Sequence, residues 1–134
     1  MLDLNRKQSI VNQKRPINLD LASMKYPPMA IASILHRISG ILLFLLFPFI
    51  LYYLSLSLQG ASSFEELKLM LSTPMHKALL WAFSAAAAYH MLAGFRHLLM
   101  DVGFGEQLAQ GRRSAIVVIT LGIILTIFIG IWLW

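Results

Sequence analysis

The stretch "AIASILHRISG", residues 30–40, decides the fold. It runs straight into "ILLFLLFPFILYYLSLSL", residues 41–58, which carries no charge. A helix needs about 20 mainly apolar residues to cross a hydrocarbon core, so the two stretches predict a first membrane span over about 31–58. Ser33, His36 and Arg37 then stand where that helix enters lipid. Ionisable groups are expensive there. Either they only anchor the helix end, or they hold something.

Working outward, two further segments are long and apolar enough to span. One is "KALLWAFSAAAAYHMLAGFRHLLM", 77–100; the other is "SAIVVITLGIILTIFIGIWLW", 114–134. The third ends in two tryptophans, which suits an interfacial aromatic belt. Pro48 is expected to kink the first span, which membrane helices tolerate. "SSFEELKLML", 62–71, has the spacing of a capping box from Ser63 to Glu66 and predicts a short amphipathic helix at the far surface. "DVGFGEQLAQGRR", 101–113, reads as a glycine-bearing loop. The expected fold is therefore an all-α membrane protein: three transmembrane helices with a short interfacial helix in the first loop.

Residues 1–29 form a separate N-terminal segment, polar and basic through Arg6, Lys7, Lys14, Arg15 and Lys25. Its length and mixed character are unlike a signal peptide. Pro16, Pro27 and Pro28 make it largely irregular, with Pro28 placed to open the first helix. Positive charge concentrates here and at Arg112-Arg113, while Lys68 and Lys77 are offset by Glu65 and Glu66. The positive-inside rule then puts the N-terminus in the cytoplasm and the C-terminus outside.

Composition narrows the function. Of 134 residues, 58% are hydrophobic and 13% charged, whereas soluble domains are about a quarter charged. The net charge of +5 is scattered over span ends; a nucleic-acid partner would need a contiguous basic face. The chain has no cysteine, which excludes disulfides and cysteine-ligated iron–sulfur clusters within it. Any metal must lean on His36, His76, His90 or His97.

Two sets of ionisable residues lie inside spans. Ser33, His36 and Arg37, at spacings of three and four, share one side of the first helix. His90, Arg96, His97 and Asp101 belong to the second. His90 and His97 share a face about 10 Å apart in rise, and His90 lies roughly 16 Å deeper than Asp101. Antiparallel passage brings both sets into the cytoplasmic half of the membrane. For His90 two readings stand: a hydrogen bond that glues helices together, or an axial haem ligand through a neutral imidazole. Ala86, Ala87 and Gly94 beside it suit a flat macrocycle or close helix packing equally. His97 and Arg96 read as interfacial groups, Arg96 snorkelling to phosphate and Asp101 pairing with a nearby cation. Ser33 and Arg37 offer donors to a carbonyl oxygen, and His36 a proton carrier near neutral pH. A quinone headgroup is one ligand of that kind; haem propionates are another, and spacing does not choose.

These residues resemble a known family. Arg15-Pro16, Ile17, Ser33, His36-Arg37 and Ser39 are similar to the signature of the cytochrome b556 subunit of bacterial succinate dehydrogenase. "HMLAGFRHLLMDVG", 90–103, resembles its second signature, departing at Phe95, where an aliphatic residue is usual. The resemblance covers nearly the whole chain and two motifs in order. It implies a bacterial inner-membrane anchor that joins a second small membrane subunit, an iron–sulfur subunit and a flavoprotein subunit. It implies haem b shared between the two membrane subunits, with His90 this chain's axial iron ligand and the other ligand from the partner. It implies ubiquinone as substrate, with Ser33, Arg37 and Ile34 at its site and His36 and Arg37 near the propionates. The chain would not oxidise succinate itself. A fumarate reductase anchor, and a scaffold or transporter with structural histidines, are the alternatives; a transporter would more often break its helices at the midplane.

Overall fold

The computed structural model describes residues 25–134, so most of the N-terminal segment, residues 1–24, lies outside the described residues. From Pro28 on the chain is four helices: α1 (Pro28–Gln59), α2 (Ala61–Leu71), α3 (Pro74–Asp101) and α4 (Leu108–Leu133). No strand occurs among the described residues. α1, α3 and α4 are each long and apolar enough to cross a membrane, and the three pack on one another.

Proline and glycine set the helix boundaries. Pro28 and Pro74 each stand in the first turn, where the missing N–H is no loss. α1 therefore begins before Ile31, and α3 before Lys77. Pro48 lies inside α1 without ending it. Gly60 turns the chain between α1 and α2 at φ 149°, a conformation costly for any residue with a Cβ.

α2 has Gly60, not Ser63, as its N-cap residue, and no side-chain cap bond forms. The expected capping box is thus absent: Ser63 is already inside the helix. α2 is held by burial instead, with Leu67 packing against Tyr53 and Leu56 of α1. Tyr53 Oη also lies 2.6 Å from His76 Nδ1, tying α1 to the start of α3.

The loop after α3 is shorter than its glycines predict. Gly103 and Gly105 take φ 90° and 82°, and α4 is already helical at Leu108, six residues before Ser114. Residues 108–113 include Gln110, Arg112 and Arg113 but contain no helix breaker except Gly111. That glycine is buried, and a Cβ there would sit 2.9 Å from Met29 Sδ.

Small residues make the interior. Ala32, Ala93 and Ala115 are the most deeply buried of the core residues, and among the described residues no large side chain is sealed as completely as they are. Tyr89 of α3 links all three long helices. Its hydroxyl donates to the Ala32 carbonyl of α1 at 3.0 Å, and its ring fills the space a Cβ would take at Gly122 of α4.

Candidate functional site

The start of α1 and the end of α3 meet at one end of the bundle, and three of the four histidines, His36, His90 and His97, meet there. The His36 ring stacks on His90, centroids 4.1 Å apart and planes 28° from parallel. His97 lies 5.1 Å from His36 at 44°. His36 is thus the middle ring of three, and Gly94 makes room for it: a Cβ at 94 would approach His36 Nε2 to 3.6 Å. That nitrogen is buried and has no hydrogen-bond partner. Of the two readings for Gly94, helix packing is the one realised within this chain.

His90 is held from α1 by two oxygens. Ser39 Oγ donates to the His36 carbonyl one turn back at 2.8 Å, the local bond that a helical serine readily makes. The same Oγ lies 3.0 Å from His90 Nδ1, and the His36 carbonyl lies 3.2 Å from it. A carbonyl only accepts, and the serine proton is already engaged. Nδ1 must therefore carry the proton, which leaves the lone pair on Nε2. Among the described residues Nε2 has no partner, and it is not one of the buried orphan atoms, so it is open to the outside of the chain. Gly40 permits this placement: a Cβ there would come within 3.1 Å of His90 Cε1. Ser39 is 6% exposed. Its part in fixing the imidazole was missed by spacing arguments, although its position three residues after His36 signals the back-bond.

The expected single side of Ser33, His36 and Arg37 divides. His36 and Arg37 are adjacent, so they point about 100° apart around the helix. Packing against α3 takes His36 inward, whereas Arg37 is exposed and Ser33 half-buried. Ile34, 43% exposed, shares the outward side. Among the described residues neither Ser33 nor Arg37 makes a side-chain hydrogen bond, so their donors face outward.

Arg96 does not snorkel. It is 6% exposed, with Nε donating to Ser114 Oγ at 3.0 Å and Nη2 to the Gly111 carbonyl at 3.3 Å. Its position next to His97 turns it about 100° away from the histidines, toward α4. Asp101 is exposed and pairs with no cation among the described residues.

This geometry can be set beside known proteins. Residues 11–129 match the family model described as succinate dehydrogenase/fumarate reductase transmembrane subunit. The chain belongs to that family. It is similar to the succinate dehydrogenase cytochrome b556 subunit of Coxiella burnetii, 44% identical over 92% of this chain and all of that protein. It is also similar to subunits of the same name from Rickettsia prowazekii, 31% identical over 93% of this chain and 97% of the relative, and Paracoccus denitrificans, 28% identical over 95% and 93%. A transmembrane subunit of succinate dehydrogenase works with other subunits of that complex. A cytochrome b556 carries haem b. The expected recognition, all-α fold and three spans stand on these findings and on the helices themselves.

Proposed function

We propose that this succinate dehydrogenase/fumarate reductase family member supplies one axial ligand to haem b and one wall of a ubiquinone site, for electrons derived from succinate. The observation that carries the reading is the grip on His90. Two oxygens of α1 hold its Nδ1–H and leave Nε2 free, the arrangement that orients a metal-binding imidazole and raises its basicity. A histidine serving only as helix glue needs the first half of this and not the second.

The residues fit the group. His90 Nε2 would hold the haem iron from this chain, and a second small membrane subunit would supply the other ligand. Arg37, with its exposed guanidinium, is the candidate to face the propionates, and His36 stands beside it on α1 with its ring packed inward against His90 and His97. When bound, the haem supplies one-electron storage beside the quinone.

Ser33, Arg37 and Ile34 form the quinone wall. The hydroxyl and guanidinium donate to a quinone oxygen, and Ile34 covers the ring edge. Donors that strengthen as negative charge grows on that oxygen favour its reduction. Two electrons and two protons convert the quinone to the quinol. The chain has no cysteine for clusters, so the electrons come from a flavoprotein and an iron–sulfur subunit at the cytoplasmic face. The topology follows: a bacterial inner-membrane subunit, N-terminus cytoplasmic, C-terminus periplasmic.

The test is a reduced-minus-oxidised visible spectrum of membranes carrying this chain with its co-expressed subunits, wild type against His90→Ala. The expected result is a b-type signal lost in the variant with the complex still assembled. A signal that survives in His90→Ala refutes the ligand assignment. Succinate–quinone reductase activity unchanged in an intact Arg37→Ala complex refutes the quinone wall.

A further inference from the structure

Arg96 is a second unusual site, on the side of α3 away from the histidines. It is almost fully buried, yet its two acceptors, Ser114 Oγ and the Gly111 carbonyl, are neutral. Among the described residues no carboxylate lies within ion-pair distance of it; the one ion pair is Lys68–Glu65. A guanidinium has five N–H donors. Two are used here and three are not. A charge left without a counter-charge in apolar surroundings is strongly unfavourable.

Those spare donors border a cavity. Arg96, Gln110 and Ser114 stand among the lining of a groove of about 420 Å³ between α3 and α4, whose walls include Leu99, Val117 and Leu121. The walls are exposed on the bundle exterior: Val117 is 54% and Leu121 42% accessible. Depth fits a headgroup. Arg96 lies five residues before the end of α3, about 7.5 Å of helix rise, and Gln110 is in the first turn of α4.

We propose that this groove binds one anionic glycerophospholipid of the leaflet at this end of the bundle. Its phosphate takes the spare N–H groups of Arg96, which match a phosphate bidentately, beside Gln110. An acyl chain runs along Leu99, Val117 and Leu121 toward the midplane. A free phosphate ion makes no use of the apolar walls. An uncharged lipid or quinone leaves the guanidinium charge uncompensated. The proposal is independent of the haem and quinone assignments.

The test uses the complex purified with its other subunits, stripped of lipid in detergent and titrated by native mass spectrometry. The probes are palmitoyl-oleoyl-phosphatidylglycerol and the phosphatidylcholine of identical chains. Wild type is expected to hold one equivalent of phosphatidylglycerol about tenfold more tightly than phosphatidylcholine. Arg96→Gln should lose that equivalent. So should Val117→Trp, which fills the groove while leaving the Arg96 hydrogen bonds in place. Three results overturn the proposal: equal binding of both lipids by wild type, an anionic preference that survives Val117→Trp, or displacement of the lipid by millimolar inorganic phosphate. A photo-crosslinker at residue 117 that captures a protein subunit instead of lipid overturns it as well, and assigns the groove to a partner helix.

Discussion

Ser39→Ala removes one oxygen from the two that hold His90, and its effect follows from the distances. The hydroxyl lies 3.0 Å from Nδ1 and is itself fixed by the His36 carbonyl at 2.8 Å. After its loss, Nδ1–H keeps only that carbonyl, at 3.2 Å. One buried hydrogen bond contributes about 1 kcal/mol to stability, so the complex should still assemble. The larger effect falls on the imidazole. Partners of a ligating histidine typically change affinity for the bound group by about 10- to 100-fold. With one of two acceptors retained, the lower end is expected, about tenfold. The assay is haem per complex by pyridine haemochrome, followed by redox titration of the b-type signal. Weaker hydrogen bonding lowers the basicity of Nε2 and stabilises the oxidised iron less, so the midpoint potential should move upward. Ser39→Thr keeps a hydroxyl and should stay close to wild type in potential. Unchanged haem content and potential in Ser39→Ala would refute the claim that α1 sets the state of His90.

Gly40→Ala puts a methyl 3.1 Å from His90 Cε1 and should lower haem content with little change in helix content by circular dichroism. Gly122→Ala drives a methyl to 2.5 Å from Tyr89 Cδ2; overpacking of this kind costs about 1–3 kcal/mol, read as a lower melting temperature in detergent. Arg37→Gln should cut succinate–quinone reductase activity by about 100-fold if it donates to developing charge, while succinate oxidation with a soluble artificial acceptor persists. Tyr53→Phe breaks the pair with His76 at the opposite end; a loss of about 1 kcal/mol in stability with an unaltered haem spectrum is expected.

The spans were legible because twenty apolar residues have few other uses, and the ends of α1 and α3 were misjudged only where proline opens a helix earlier than hydropathy rises. Convergence of the two histidine sets was legible from antiparallel passage alone. Their azimuth was not. Ser33, His36 and Arg37 look like one side at spacings of three and four, but two adjacent residues cannot share a direction, and only packing against α3 decides which turns in. Arg96 was misread for the related reason that interfacial depth was inferred without orientation. Its neighbour His97 faces α1, so Arg96 faces α4 and is buried there. Ser39 was visible as a residue and not as a partner of His90, because that pair joins two helices and no spacing along one helix records it.

Tyr89 has one further consequence. It stands next to His90 in sequence, its hydroxyl rests on Ala32 of α1, and its ring occupies the notch at Gly122 of α4. The three helices therefore share a common datum one residue from the imidazole. α3 cannot slide or rotate against α1 without first unseating that ring, so its height and phase are discrete rather than adjustable. The exposed apolar surface is free to vary, since Phe44, Ile123 or Phe128 can change without moving the datum. A one-residue insertion between Ala32 and Ser39 has no such freedom. It turns everything beyond it by about 100°, carries Ser39 off His90, and leaves the hydropathy of the span as it was.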